Sequence, residues 1–167
     1  RRRGIVGEAV KAFTLQVGYT KAEHTFDWSL LFAVNRKTLD SVARRLFFAP
    51  RPIQLKVRGA SGGRVTIPFH PDKDLGTRSI DIGDTFFVPT EDIQKTRVGQ
   101  LVRLIDLYNV KLVSKGDAGA EAEYAGEELK KDVVKVQWVT QENLQIRVME
   151  FSTLFNEDGT FNEGSLR

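Results

Sequence analysis

The 167-residue chain contains no cysteine, two histidines and a single methionine. Without cysteine there is no disulfide, no thiolate metal ligand and no cysteine nucleophile. His24 and His70 lie far apart, and neither has an acid at metal-ligand spacing, so no metal site is expected. No Gly-x-Ser-x-Gly elbow or Ser–His–Asp arrangement is present. Gly59–Arg64 is rich in glycine but lacks the Gly-Lys-Ser/Thr ending of a phosphate loop, and reads as a turn. The acidic pairs Glu127-Glu128 and Glu157-Asp158 sit in polar stretches and read as solvated. No apolar run approaches the ~20 residues that span a bilayer, and Arg1-Arg2-Arg3-Gly4-Ile5 lacks the apolar core of a secretory signal. The expectation is a cytoplasmic chain with no membrane partner and no catalytic centre of its own.

What is present is an ordinary globular composition, 41% hydrophobic and 28% charged. The net charge of +3 is unevenly placed. Residues 1–58 hold 12 Lys and Arg against 4 Asp and Glu; residues 59–167 hold 13 against 18. Such asymmetry points to a face that meets an anion, with a solvated basic helix as the equally weighted alternative. The pivot is Asn35–Val57, where apolar spacing changes from every three or four residues to every two. It carries Arg36, Lys37, Arg44, Arg45, Arg51 and Lys56, opposed only by Asp40.

Before the pivot the spacing predicts a helix over Val6–Val17, with Val6, Ala9, Val10, Phe13 and Val17 on one face. A second helix is predicted from an Asp27 cap, burying Trp28, Leu31, Phe32 and Val34 and ending near Asn35–Lys37. Asp40 reads as the cap of a short third helix, Ser41–Arg45. Pro50 and Pro52 then enforce extended chain. Ile53, Leu55 and Val57 alternate with Gln54, Lys56 and Arg58, a strand with one dry and one basic face. Further strands are predicted at Val65–Ile67, Ser79–Ile82 and Thr85–Val88, the last two joined as a hairpin by Gly83-Asp84. A helical turn is expected at Pro89–Ile93. Strands follow over Leu101–Leu107, Tyr108–Val113, Glu121–Tyr124, Val133–Val139 and Gln145–Glu150, with Val134, Val136 and Trp138 sharing a face. Asn156–Arg167 reads as loop. Many short strands separated by turn residues argue for a barrel or sandwich.

The remaining chemistry is basic and aromatic. Arg45 precedes Phe47-Phe48, Lys95 and Arg97 precede Gly99, and Arg103 and Lys111 punctuate GQLVRLIDLYNVKLV. Planar guanidinium groups beside aromatic rings suit unpaired RNA bases; the alternative is a surface arginine balancing a nearby acid.

Five segments resemble, in order, the C-terminal half of the class I glutamyl/glutaminyl-tRNA synthetases: RRRGI, HTFDWSLLFAVNRKTLDSVARRLFF, HPDKDLGTR, GQLVRLIDLYNVKL and YAGEELKKDVVKVQWV. The archaeal-type glutamyl enzymes are the most similar, through DWSLLFAVNRK and LFFAPRPIQL. The resemblance implies a mainly β fold with a small helical N-terminal part, built on anticodon-binding β-barrels. That barrel type is also similar to a ribosomal-protein family that binds 5S RNA.

The implied domains are a helical subdomain at residues 1–46, a barrel region at 47–155 with one barrel complete and the other partial, and a polar tail at 156–167. The HIGH-type and KMSKS-type signatures are absent. The resemblance therefore implies a glutamate–tRNA ligase as parent, using ATP with Mg, and a fragment that is inactive alone and holds no cofactor. The implied partner is a glutamate-acceptor tRNA.

Carried over by position, Arg45 matches an arginine that helps hold an anticodon base. Lys95 falls on one of a basic pair, with Gln94 in the other place. Arg103 matches an arginine of the reading strand, and Ile105 replaces a basic residue. Arg97 and Gln100 are neighbours of suitable chemistry. Arg36, Lys37 and Arg44 are expected on the tRNA backbone. The alternatives are a glutaminyl-tRNA synthetase fragment and a stand-alone ribosomal-type RNA-binding barrel.

Overall fold

The computed structural model describes residues 4–18, 27–148, 153–156 and 158–166. Two helices come first, α1 (Gly7–Val17) and α2 (Trp28–Asp40). They pack on each other through half-buried Phe13 and Val17 from α1 and Leu31 and Val34 from α2, around fully buried Ala9. The Asn35 side chain joins them. Its Oδ1 accepts the Val6 N–H at 3.0 Å and its Nδ2 donates to the Gly4 carbonyl at 3.0 Å, satisfying backbone groups at the start of α1. Asp27 caps α2 as expected, accepting from the Ser29 N–H.

Three helical expectations are corrected. Trp28 and Phe32 are exposed and stack on each other at 6.1 Å, and Val10 is also exposed. An apolar residue at helical spacing need not face the one neighbour this pair supplies. Next, α2 does not end at Asn35–Lys37 but continues to Asp40. The third helix, Ser41–Arg45, does not form. The N–H groups of Val42 and Ala43 return to the Leu39 carbonyl and close the helix. The Arg45 N–H donates instead to the Phe69 carbonyl at 2.8 Å, drawing the chain onto the β unit. Asp40 is therefore the last residue of a helix, not the cap of one.

The remainder is β. A six-stranded sheet contains β1 (Pro52–Arg58), β4 (Thr85–Pro89), β5 (Leu101–Leu104), β6 (Asn109–Lys115), β7 (Ala120–Tyr124) and β8 (Val134–Val136), in the order β4-β1-β7-β6-β5-β8. β1 runs parallel to β7 and β5 parallel to β8; the other pairs are antiparallel. The sheet curls until its edges meet. Just beyond β8, Val139 exchanges both backbone hydrogen bonds with Phe87 of β4, at 2.8 and 2.9 Å. This bridge closes the ring and removes an open edge. A two-stranded ribbon, β2 (Gly63–Pro68) and β3 (Thr77–Ile82), lies alongside and contributes buried Ile67 to the same core.

Alternation fills the barrel. Ile53, Leu55 and Val57 point inward from β1, and Pro52, Gln54, Lys56 and Arg58 outward. Phe86, Val102, Leu104, Val110, Leu112 and Val136 complete the interior, each contributing roughly 1.5–3 kcal/mol by leaving water. Helix α3 (Thr90–Lys95), where a helical turn was expected at Pro89–Ile93, inserts Ile93 into this core.

Other strand expectations shift. Gly83-Asp84 is not a hairpin, because β3 pairs with β2 and β4 with β1. The strand expected at Leu101–Leu107 stops at Leu104, where Asp106 (φ 58°) turns the chain and the Leu104 N–H donates to the Tyr108 carbonyl. Val134 and Val136 stand in register with inward-facing Val102 and Leu104, so they share the inner face as expected; Val134, at the start of the strand, stays partly open to solvent while Val136 and Trp138 are buried. Residues 145–148 carry no strand, and Met149 and Glu150 lie outside the described residues, as does His24. The tail, expected as loop, holds a Phe155–Phe161 bridge with its rings edge to face and a 3-10 turn at Glu163–Leu166.

Candidate nucleic-acid interface

The expected site residues fall into two groups on the β unit and one on the helices. Arg45 follows α2 and is exposed. Its guanidinium donates to the Asp40 carboxylate, and that bond holds the Asp40 carboxyl below its ordinary range. His70 approaches the same carboxylate at 3.7 Å. It is a buried loop residue, as read from its Pro-Phe-His-Pro setting, and its Nδ1 accepts the Asp72 N–H at 3.0 Å. Arg44 lies over the Phe69 ring at 4.8 Å. Arg36 and Lys37 stay exposed on α2, with no ion pair or hydrogen bond to the barrel among the described residues.

The chain after Arg45 then settles on the barrel. Phe47 packs against Trp138 at 5.4 Å and carries the Arg78 guanidinium over its ring at 4.7 Å. Burial pushes Arg78 below its usual value. The Phe48 N–H donates to Gln137 Oε1 at 2.9 Å. This tether seats the Arg45 segment beside the chain that leaves β8.

The second group lies along β5. Arg97 and Gln100 form its approach: Gln100 Oε1 accepts the Arg97 N–H at 3.0 Å, which fixes the loop and leaves the Arg97 guanidinium exposed. Arg103 points outward from β5, half-buried, and pairs in register with Lys135 of β8. Its Nη1 donates to Asn109 Oδ1 at 3.2 Å and to the Glu127 carbonyl at 3.1 Å. Lys95 ends α3 and sits 3.9 Å from Glu91. The end of that helix is held by Lys115, whose Nζ donates to the Gln94 and Thr96 carbonyls at 2.7 Å each, a cation on the negative helix end.

Register relates the two groups. Parallel pairing sets Arg103 beside Lys135 and Leu104 beside Val136, so Gln137, tethered to Phe48, comes just past the Arg103–Lys135 pair. Within β5 the outward parity belongs to Leu101 and Arg103, while Val102 and Leu104 face the core. Arg97 and Gln100, in the turn that enters β5, and Arg103, on its outward face, form one strip of chain, with the Phe48–Gln137 tether just past Lys135. Arg36 and Lys37 lie on α2. Sequence reasoning did not single out Asn109, Lys130, Lys131 and Lys135, which lie about Arg103, nor the pairing of Asp40 with Arg45. The signal for the lysines was a Lys-Lys pair shortly before a strand carrying a third lysine; Asp40 was read as a helix cap and not as the partner of Arg45, and Asn109 gave no local signal for its bond to the Glu128 carbonyl.

The strip can hold anions through cations and unpaired bases through flat, hydrogen-bonding side chains. Comparison with known proteins agrees with that chemistry. Residues 43–127 match the family described as tRNA synthetases class I (E and Q), anti-codon binding domain. A glutamate–tRNA ligase of Nitrosopumilus maritimus is 35% identical over 167 residues, covering 99% of this chain and 29% of the relative. One from Pyrococcus abyssi is 40% identical over 120 residues, covering 70% and 21%. One from Methanosarcina barkeri is 34% identical over 151 residues, covering 89% and 26%. The chain therefore spans less than a third of the length of these curated relatives. With the matched segment running from the end of the helical part through β7, the chain belongs to the anticodon-binding domain family of the class I glutamyl and glutaminyl tRNA synthetases.

Proposed function

We propose that this chain is the anticodon-recognising part of a glutamate–tRNA ligase, with a glutamate-acceptor tRNA as its partner in the cytoplasm. The observation that carries the reading is Arg103 on the outward face of β5, with Arg97 and Gln100 in the turn that enters it, within a matched anticodon-binding family. The division is a helical subdomain at 1–46, a barrel region at 47–155 and a tail at 156–167. Phosphate contacts fix register and carry no sequence information, a role that suits Arg36, Lys37 and Arg44; base edges specify. Arg45, Arg97, Gln100 and Arg103 have the planar, multi-donor groups that base reading requires, and Lys95 supplies a point charge near the start of the strip. That the relatives are glutamate ligases favours the glutamyl over the glutaminyl reading.

The ATP and Mg of the parent reaction do not fit the residues described. Gly59–Gly63 leads into strand β2 and not into a helix, and no group of three or more His, Asp or Glu gathers among the described residues. We place that chemistry outside this chain and derive no step through it.

The test is tRNA binding by the intact parent, with Arg45→Ala and Arg103→Ala, against transcripts carrying the glutamate anticodon or single-base changes in it. Loss of a base-reading arginine costs roughly 1–3 kcal/mol and relaxes discrimination at one base. A loss that is the same for every anticodon would show that these arginines do not read bases.

A further inference from the structure

Beside the strip is a groove of about 530 Å³, between β8 and the chain that follows β7. Arg103, Lys130, Lys131 and Lys135 line it, with Asp132 the one acid of the lining and Leu129 and Val133 its apolar part. None of the three lysines has an ion-pair partner among the described residues. Arg103 and Lys135 stand in register on adjacent strands, an arrangement of like charges that destabilises a sheet when nothing neutralises it.

The fold nevertheless holds this arrangement in place. Asn109 is fully buried, and its Nδ2 donates to the Glu128 carbonyl at 2.7 Å while its Oδ1 accepts from Arg103. Its backbone N–H donates to the Gly126 carbonyl at 2.8 Å and its carbonyl accepts the Ala125 N–H at 2.9 Å. Three of these four bonds fix the root of the 125–133 loop, and the fourth ties Arg103 to it. Asp132, at φ 65°, occupies the left-handed region that a residue with a Cβ rarely adopts. Arg103 spends Nη1 on this scaffold and keeps Nε and Nη2 unused among the described residues.

We propose that this groove is a phosphate-binding subsite for the RNA strand, adjoining the base-reading Arg103, with Lys130, Lys131 and Lys135 as its point charges and Leu129 as a ledge for the sugar. The inference rests on the RNA-binding reading above. Ammonium groups on flexible stems suit phosphate oxygens and carry no base preference. The subsite raises affinity for any anticodon loop without changing which one is preferred.

The experiment is a salt titration of tRNA binding by the intact parent bearing K130A/K131A, K135A, or the charge-keeping K130R/K131R. All of these positions are exposed or partly exposed, and circular dichroism checks the fold. Deleting one phosphate-neutralising lysine should lower the slope of log K against log salt by roughly 0.7–0.9, so the double variant should lose about 1.5. The loss should be equal for all anticodon variants, and K130R/K131R should retain the parent slope. An unchanged slope, or a loss confined to one anticodon base, overturns the assignment. Arg45→Ala and Arg97→Ala serve as controls. If they weaken binding while the lysine variants do not, the groove alone fails; if none of the variants matters, the RNA reading fails with it.

Discussion

Closure of the barrel depends on Trp138, and its removal has a calculable effect. The side chain is about 1% exposed. Its Nε1 donates to the Ile105 carbonyl at 2.8 Å, its ring meets Phe86 edge to face at 5.3 Å, and Phe47 leans on it at 5.4 Å. It thus joins the chain beyond β8 to the turn after β5, to β4 and to the segment carrying Arg45. Trp138→Ala removes the volume, two ring pairs and the indole donor, and should cost about 3–5 kcal/mol. Against a domain stability of roughly 5–15 kcal/mol that is a large fraction. Trp138→Phe keeps much of the ring packing but leaves the Ile105 carbonyl without its donor, and should cost about 2 kcal/mol. Urea unfolding followed by far-ultraviolet circular dichroism measures both, with the slope against urea unchanged if the unfolded state is the same. Hydrogen exchange at the Phe87 and Val139 amides should accelerate first in the alanine variant. An alanine variant within about 1 kcal/mol of the parent, or a phenylalanine variant as unstable as the alanine one, would refute the claim that this residue locks the ring.

Two pH predictions come from the same geometry. Hydrogen bonds from Arg45 and Arg64 depress the Asp40 and Asp81 carboxyls, respectively, so these acids stabilise the fold above the ordinary carboxylate value of about 3.9 and lose that contribution as pH falls through their lower folded values. Both are exposed, so the effect is small; Asp81→Asn should flatten the acid limb of a stability–pH curve, and an unchanged limb would count against it. Tyr108 is pushed up to about 12, first by burial and then by Tyr124 and Asp84. A raised tyrosine stabilises fully below its ordinary value of about 10, and the contribution disappears as pH climbs toward 12. An ultraviolet phenolate titration should show a late step that Tyr108→Phe removes; a single step near 10 in the parent would contradict it.

The parts legible in the sequence were those set by neighbours a few residues apart. Alternation at Ile53, Leu55 and Val57 gave β1 its buried face, and Asp27 gave α2 its cap. What was not legible depended on distant partners. Gly83-Asp84 has the composition of a hairpin turn, but register is decided by what β1 and β2 offer β4 and β3. Trp28 and Phe32 have helical spacing, but only packing determines which apolar stripe meets α1. Arg45 could be placed in sequence, whereas its engagement by Asp40 required the helix to run to residue 40. The groove was hidden most completely, because Asn109 joins β6 to a loop some twenty residues later.

Folding also relocates the charge. Residues 1–58 hold the excess of cations, yet Arg45, Arg51 and Arg58 are each set against an acid, Asp40, Glu91 and Glu121. The last two of those acids come from the net-acidic remainder of the chain. That same remainder supplies Arg97, Arg103, Lys130, Lys131 and Lys135, which have no ion pair among the described residues. Acids of the second part thus neutralise arginines of the first, and cations of the second part stand at the β5–β8 face. Exposed pairs of this kind add little stability, so their main effect is on where positive potential is left over. On the reading proposed above, an anionic strand meets two sets of cations that have no ion pair among the described residues: those of the β5–β8 face, where register and the buried Asn109 hold Arg103 and Lys135 in fixed relation, and Arg36, Lys37, Arg44 and Lys56 of the first part.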